Sequence, residues 1–229
     1  MYTGLNQPGR IRVGLIVPSS NTVMENDLHL ALPKPKYTVH TDRMYLTEAT
    51  RAQEIQMIED YAPAAARDLG TLNPDVLVFG CTSAGSLFGL DYDAKVCEKL
   101  SHIANCPTIG VITAVSEALK SLQAKDLAVI TPYNEDLTQS VANALKSEFN
   151  IVASYGMGIT DNIALAAPSP EEITEFAKAS LKGLKFDTLF VSCTNFRAFE
   201  ALALLKEALG TPVVTSNSAI IQALLKLGN

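Results

Sequence analysis

Residues 74–83 read Pro-Asp-Val-Leu-Val-Phe-Gly-Cys-Thr-Ser, and residues 186–195 read Phe-Asp-Thr-Leu-Phe-Val-Ser-Cys-Thr-Asn. The two segments share aspartate, leucine, cysteine and threonine at a constant offset of 112 residues. In each segment a run of Val, Leu and Phe, which is typical of a buried parallel strand, ends at a cysteine. Ligands of open α/β sheets bind just beyond the carboxyl ends of such strands. The repeat therefore predicts that Cys81 and Cys193 occupy equivalent positions at a ligand-binding edge.

Strand-like and helical segments alternate along the whole chain. Apolar runs typical of strands occur at about 12–17, 37–43, 75–80, 107–111, 126–131, 150–155, 187–192 and 212–215. Segments with helical spacing occur at about 23–31, 51–69, 92–104, 114–123, 135–148, 170–182, 197–208 and 217–227. This alternation of βα units predicts an α/β fold with parallel sheets and right-handed crossovers.

The repeat extends beyond the two cysteine strands. Residues 14–18 match residues 128–132 at an offset of 114, and residues 106–109 resemble residues 211–214. The first, third and fourth strands of the two halves therefore match, as expected if a unit of half the chain length was duplicated.

We therefore predict two similar lobes, each a four-stranded parallel sheet flanked by helices. Residues 1–113 form the first lobe, with Cys81, and residues 114–229 form the second, with Cys193. No linker rich in Pro, Gly or Ser marks the division, so the lobes should share an interface. The last helix is then free to cross back to the first lobe, and the two cysteines should face each other across a cleft.

Composition and charge exclude several classes of protein. With 229 residues and 48% hydrophobic content, the chain can bury a sizeable core. It contains no run of 18 apolar residues and no apolar signal-peptide core, which favours a cytoplasmic protein without a membrane span. A net charge of −6 without runs of Lys or Arg argues against nucleic acid and anionic membrane as partners.

No motif in the chain indicates a metal or an organic cofactor. The three histidines, His29, His40 and His102, have no second His or carboxylate at ligand spacing. The four cysteines form neither a CxxC metal pattern nor a disulfide framework, so we expect reduced thiols. Neither the dinucleotide-binding GxGxxG motif nor the P-loop signature follows a strand. We predict a site without metal or cofactor.

Polar residues follow both repeated cysteines. Thr82 and Ser83 come after the first cysteine, and Thr194 and Asn195 after the second; all four are candidate substrate-binding residues. These residues favour a helix start after each cysteine, so free backbone N–H groups and the positive end of a helix dipole should face each thiol and lower its pKa. Cysteine is also a common buried residue that only fills space, which is the interpretation favoured for the other two cysteines, Cys97 and Cys106.

Other polar residues are expected at the same sheet edges. Asn21 lies in a Ser-Ser-Asn-Thr turn after the first strand, where it can bind a carboxylate or cap a helix. Tyr133 follows the equivalent strand of the second half, and Asn162 lies in a loop after the next strand. Tyr133 can instead be a half-buried aromatic residue, and Asn162 a turn residue. Arg197 can anchor a carboxylate or lie exposed on a helix.

These motifs together resemble the Asp/Glu racemase superfamily, specifically its branch of maleate cis-trans isomerases and arylmalonate decarboxylases. The resemblance covers essentially the whole chain. It implies two flavodoxin-like lobes related by a pseudo-twofold axis, with a cofactor-free site between them. Cys81 matches the nucleophile that adds to the double bond and forms a succinyl thioether, and Cys193 matches the cysteine that handles the proton. Asn21, Tyr133 and Asn162 match residues that hold the substrate carboxylates.

The expected function is therefore a cofactor-independent isomerase that uses two cysteines and acts on a small dicarboxylate. Maleate-type cis-trans isomerisation is the leading hypothesis for the reaction. The hydroxyl and amide groups after each cysteine also resemble racemases, so an aspartate or glutamate racemase that uses the thiols as an acid/base pair is the alternative. Arylmalonate decarboxylases carry Gly at the position of Cys81, which disfavours decarboxylation. A non-catalytic ligand-binding relative and a homo-oligomer both remain open.

Overall fold

The computed structural model describes residues 9–228, which form two sheets of four parallel strands each. The strands of the first sheet are β1 (Ile11–Pro18), β2 (Tyr37–Met44), β3 (Val76–Phe79) and β4 (Thr108–Gly110). Those of the second are β5 (Asp126–Tyr133), β6 (Asn150–Ile159), β7 (Thr188–Val191) and β8 (Val213–Thr215). All pairings within both sheets are parallel.

The two sheets have the same strand order. It is β2-β1-β3-β4 in the first sheet and β6-β5-β7-β8 in the second, an order in which the chain reverses direction beside the first strand of each lobe. Ligands of doubly wound sheets bind at this reversal, at the carboxyl ends of the strands. The predicted fold class, two four-stranded parallel sheets flanked by helices, is confirmed.

Within residues 9–228, ten α-helices flank the sheets. They are α1 (Met24–Ala31), α2 (Arg51–Gln56), α3 (Ala62–Gly70), α4 (Thr82–Ser86), α5 (Leu90–Ala104), α6 (Val111–Ser121), α7 (Glu135–Leu145), α8 (Pro170–Ser180), α9 (Leu202–Leu209) and α10 (Ser216–Leu227). A π-helical turn, Met57–Tyr61, joins α2 to α3, so the helix predicted at 51–69 is continuous but irregular. Pro63 lies in the first turn of α3 and has no N–H to donate to an earlier carbonyl, which favours the wider turn.

The central strands carry the core of each lobe. All four residues of β3 are buried, and so are all four of β7, because helices cover both faces of each sheet. Phe79 and Phe190 are fully buried at the ends of these two strands. Burial of such a side chain contributes about 1.5–3 kcal/mol of hydrophobic free energy, which holds the cysteines that follow in fixed positions.

The two lobes pack closely against each other. Helix α6 packs on α10, and α10 also contacts α1 of the first lobe. Tyr37, at the start of β2, donates a hydrogen bond from its hydroxyl to the carbonyl of Leu224 in α10 at 3.2 Å. The last helix thus contacts the first lobe, and the division after residue 113 falls inside α6.

Two predicted helical features differ from those observed. The helix predicted at 197–208 begins only at Leu202, and turns occupy the residues between Cys193 and that point. The helix start expected after Cys81 is present as short α4, whereas turns and no helix follow Cys193 directly. Cys193 itself has a positive φ of 101°. None of the helices between residues 9 and 228 combines the length and the apolar character that a membrane span requires.

Candidate active site

Cys81 and Cys193 occupy equivalent positions in the two lobes. Each lies two residues beyond the last residue of a central strand, β3 or β7, and each is a free thiol. Cys81 is 4% exposed and Cys193 3% exposed. The hydroxyl of Tyr133 lies close enough to both thiols for each to influence its ionisation, so the structure brings all three side chains together.

The backbone at Cys193 is strained. Its φ of 101° is rarely adopted by a residue with a side chain, and such conformations cost of the order of 1–3 kcal/mol. Two hydrogen bonds hold it: the Cys193 N–H donates to Oγ of Ser216 at 3.0 Å, and the Asn195 N–H donates to the Cys193 sulfur at 3.3 Å. The strain therefore fixes the direction of the thiol, which is typical of a functional position.

Burial, and not a helix dipole, dominates the acidity of both thiols. Burial raises the pKa of Cys81 well above its ordinary value, and raises that of Cys193 to about 12. The prediction that the pKa values of both thiols are lowered is therefore wrong. The N–H of Ala84 in short α4 only partly offsets burial at Cys81, and no helix begins at Cys193.

Asn21 both caps a helix and joins the lobes. Its Oδ1 accepts hydrogen bonds from the N–H groups of Val23 and Met24, each at 3.0 Å, which is the capping role considered from the sequence. Its Nδ2 donates to Oγ1 of Thr194 at 3.1 Å. Thr194 in turn donates to the Gly80 carbonyl, next to Cys81, at 3.0 Å. If Asn21 binds a substrate carboxylate, its Nδ2 would donate to that carboxylate in place of Thr194.

Asn162 and Asn195 also bridge the lobes. Nδ2 of Asn162 donates to Ser20 at 2.7 Å, and Nδ2 of Asn195 donates to the Asn162 carbonyl at 2.6 Å. Oδ1 of Asn195 accepts from the N–H of Thr22 at 2.8 Å. Both amides are buried, so they form a polar seam between the lobes beside Cys193.

Thr82 and Ser83 reach opposite sides of the site. Oγ1 of Thr82 donates at 2.8 Å to Ser216, which also accepts the Cys193 N–H, so Thr82 supports the second cysteine from the first lobe. Ser83 lies 3.8 Å from the Cys81 sulfur, measured from Oγ, and its hydroxyl is hydrogen-bonded to the carboxyl of Glu54. Five of the seven predicted binding residues thus hydrogen-bond to one another or to a cysteine, and a sixth, Thr82, is linked to Cys193 through Ser216.

The seventh, Tyr133, lies close to both thiols and is 2% exposed. Burial, together with the neighbouring Cys193 and Cys81, raises the pKa of its phenol well above the ordinary value, so the hydroxyl keeps its proton. A protonated phenol beside two thiols can donate to a thiolate or to a bound carboxylate.

Arg197 lies apart from this network. Its guanidinium donates to both carboxylate oxygens of Glu200, at 3.1 and 2.8 Å, and lines a separate surface cleft with Thr22 and Asp27. Between residues 9 and 228 no three His, Cys, Asp or Glu side chains are grouped closely enough to hold a metal ion.

Sequence reasoning missed two residues of the site, Glu54 and Ser216. Glu54 is completely buried and influences the ionisation of both thiols. The signal for it was present, because Glu54 shares the buried face of its helix with Met57 and Ile58 at the i+3 and i+4 positions. Ser216, the first residue of α10, reads in the sequence as an ordinary helix start.

Comparison with known proteins gives a consistent set of relatives. Residues 13–228 match the family model described as arylmalonate decarboxylase, Amdase. A maleate isomerase of Pseudomonas putida is 30% identical over 229 residues, covering 94% of this chain and 90% of the relative.

Two solved structures show the same architecture. The maleate isomerase Iso of Pseudomonas putida S16, a cysteine-to-alanine variant with maleate, has a TM-score of 0.88 and 26% identity, covering 95% of this chain and 91% of the other. A cysteine-to-serine variant of Nocardia farcinica maleate cis-trans isomerase, with a covalently bound succinylcysteine intermediate, has a TM-score of 0.85. Its identity is 22%, with 95% of this chain and 92% of the other covered, so it supports the fold alone.

Proposed function

Because the chain belongs to the arylmalonate decarboxylase (Amdase) family, we propose that it is a cofactor-independent cis-trans isomerase of a small dicarboxylate, with maleate as substrate. The observation that carries this proposal is the pair of free cysteines at equivalent strand ends, with Tyr133 beside both. A decarboxylase of the arylmalonate type needs no thiol at position 81. The maleate isomerases among the relatives of this chain favour cis-trans isomerisation.

The reaction uses the two thiols in different roles. The Cys81 thiol first loses its proton to water, and the thiolate adds to one alkene carbon, so that an S–C bond forms and the π electrons move to the other carbon and its carboxylate. The Cys193 thiol gives its proton to that second carbon and becomes a thiolate. The central bond is now single and can rotate. The Cys193 thiolate then removes the proton, the double bond re-forms in the trans geometry, and the S–C bond breaks to restore the Cys81 thiolate.

Neutral donors are proposed to hold the two substrate carboxylates. These residues surround the thiols from both lobes: Asn21, Thr82, Ser83, Tyr133, Asn162, Thr194 and Asn195. A hydrogen bond to a charged group contributes about 1.5–3 kcal/mol, so a few of them can offset the loss of carboxylate hydration. Because several already bridge the lobes, substrate binding would replace contacts between lobes with contacts to substrate.

Proton NMR of maleate with the enzyme, in reducing buffer with a chelator, tests this proposal. Fumarate signals should appear at a rate proportional to enzyme concentration. A parallel incubation of aspartate, glutamate and an arylmalonate in D2O separates the alternatives. Deuterium at Cα of an amino acid without fumarate formation would identify a racemase, and loss of carboxylate from the arylmalonate a decarboxylase.

Tyr133→Phe should lower kcat/KM about tenfold to a hundredfold, since it removes one hydrogen bond to a charged group, worth about 1.5–3 kcal/mol. The substitution keeps the ring that packs the lobe. Tyr155→Phe is the matched control, because Tyr155 is 41% exposed on β6. Steady-state kinetics with maleate measures both variants. Equal kcat/KM for Tyr133→Phe and the wild type would assign Tyr133 a packing role only.

A further inference from the structure

Glu54 is a buried carboxyl group beside the reacting thiols. It lies on α2 and is 0% exposed. Oε1 forms a hydrogen bond with the Ser83 hydroxyl, whose oxygen is 3.8 Å from the Cys81 sulfur. The other oxygen, Oε2, is buried without a hydrogen-bond partner among residues 9–228. A carboxylate with one hydrogen bond in such a place is costly, whereas a neutral carboxylic acid is tolerated.

Several charged or titratable groups face Glu54. Arg51, one turn earlier on α2, favours the carboxylate, and Asp136 on α7 opposes it. These two form an exposed ion pair with each other at 3.5 Å, so Arg51 does not neutralise Glu54 directly. The thiols of Cys81 and Cys193 are close enough to Glu54 for its charge to influence their ionisation. Burial outweighs the Ser83 hydrogen bond and the Arg51 charge, and it raises the pKa of Glu54 to about 8.

We propose that Glu54 is a positioning residue that works as an uncharged acid, donating from Oε1 to Ser83 so that the Ser83 hydroxyl donates toward the Cys81 sulfur. This inference rests on the proposed function. The Ser83 hydroxyl has a single proton, and the charge of Glu54 decides where that proton goes. Neutral Glu54 donates to Ser83 and leaves the Ser83 proton for Cys81. Ionised Glu54 can only accept, so it takes the Ser83 proton away from the sulfur.

Ionisation of Glu54 would also place a negative charge beside the Cys81 thiolate and the dianionic substrate. Both effects oppose thiolate formation and substrate binding. A carboxyl group kept neutral by an apolar environment so that it can donate a hydrogen bond is a known use of such residues. The device makes activity depend on Glu54 being protonated, so activity should rise with pH as Cys81 ionises and should stop rising once the pH passes the Glu54 pKa.

The pH dependence of kcat/KM for maleate tests the proposal. The wild-type kcat/KM should rise with pH as the Cys81 thiol ionises and level off above about pH 8, because the protonated fraction of Glu54 then falls about tenfold per pH unit, as fast as the thiolate fraction rises. Glu54→Gln, whose amide is neutral and can donate to Ser83, should lack this levelling-off and gain roughly thirtyfold between pH 8 and pH 9.5. The matched control is Glu59→Gln, an exposed position on the same helical segment, which should keep the wild-type profile. A levelling-off retained by Glu54→Gln, or wild-type activity that keeps rising about tenfold per pH unit above pH 8, would overturn the proposal.

Glu54→Ala distinguishes the hydrogen bond that Glu54 donates to Ser83 from the negative charge of the ionised Glu54 side chain. It removes the negative charge, as Gln does, but it leaves the Ser83 hydroxyl without a partner. We expect Glu54→Ala to lack the levelling-off above pH 8 and to be about tenfold or more less active than Glu54→Gln at pH 7, the loss of one hydrogen-bond donor. Equal activities of the Ala and Gln variants would exclude the donor role.

A substrate-free measurement separates failure of this inference from failure of the proposed function. The rate of Cys81 alkylation by iodoacetamide, followed by peptide mass spectrometry, should level off above about pH 8 in the wild type, because ionised Glu54 opposes the thiolate. In Glu54→Gln the rate should keep rising with pH. If maleate is not isomerised but this difference is found, the link between Glu54 and Cys81 stands and the assigned reaction fails. Parallel alkylation profiles would refute the link.

The pH dependence of stability provides a readout that needs neither substrate nor alkylation. The pKa of Glu54 is raised on folding, so the native state binds the extra proton, and the wild type loses stability as pH rises from about 4.5 to about 8. The Tm of Glu54→Gln minus that of the wild type should therefore increase over this range and be constant above it. A difference that does not change between pH 5 and pH 9 would show that Glu54 is not neutral in the folded protein.

Discussion

Cys81→Ser is expected to lower kcat/KM by about four orders of magnitude or more, as removal of a covalent nucleophile does in other enzymes. A serine hydroxyl fits the same space but is a far weaker nucleophile unless a base activates it. The nearest buried carboxyl, Glu54, carries its proton at neutral pH, since burial raises its pKa to about 8. Steady-state kinetics with maleate, with fumarate followed by NMR, measures the loss.

The other two cysteines supply the controls for this experiment. Cys97 lies on α5 and Cys106 just before β4, and both are buried away from the Cys81–Tyr133–Cys193 cluster. Cys97→Ser and Cys106→Ser should leave kcat/KM nearly unchanged, although each places a hydroxyl in an apolar site and can lower Tm. If either substitution reduced activity as much as Cys81→Ser, the assignment of the nucleophile would be wrong.

Cys193→Ser is expected to trap a covalent adduct on Cys81 and to lower kcat by about a hundredfold to ten-thousandfold, the range for loss of a general acid or base. Addition at Cys81 forms the S–C bond, and in this variant water supplies the proton to the neighbouring carbon in place of the Cys193 thiol. Release needs the second thiol, because the proton on the neighbouring carbon must be removed, and a serine hydroxyl is too weakly acidic to serve as a thiolate does. Incubation with maleate followed by mass spectrometry should show one substrate mass added to the peptide that contains Cys81.

Serine is the suitable replacement because the backbone at Cys193 is strained. Of the two hydrogen bonds that hold φ at 101°, the one from the backbone N–H to Ser216 is kept, and the serine oxygen can replace the sulfur as acceptor of the Asn195 N–H. The double variant with Cys81→Ser should show no adduct, which ties the added mass to the nucleophile. Full turnover by Cys193→Ser, without adduct, would contradict the assigned role of Cys193 in proton transfer.

The sequence alone determined the architecture and the place of the two thiols. The repeat around Cys81 and Cys193 predicted two lobes with equivalent strand ends, and all eight predicted strands occur near their predicted positions. These features are local: a buried parallel strand shows as an apolar run, and a duplicated unit shows as matching residues at a constant offset. Asn21 and Tyr133 were found in the same way, because they follow equivalent strands.

Only the tertiary structure decided the acidity of the site. The pKa of a buried thiol or carboxyl depends on how much water is excluded and on which donors surround it. At Glu54 and Cys81 these neighbours come from different elements and, in part, from the other lobe. The same holds for the hydrogen-bond partners of the asparagines, since Asn195 binds Thr22 across 173 residues of chain. The residue pattern of a strand depends on neighbours along the chain. Burial and hydrogen bonding depend on residues that are far apart in the sequence and come together only when the chain folds.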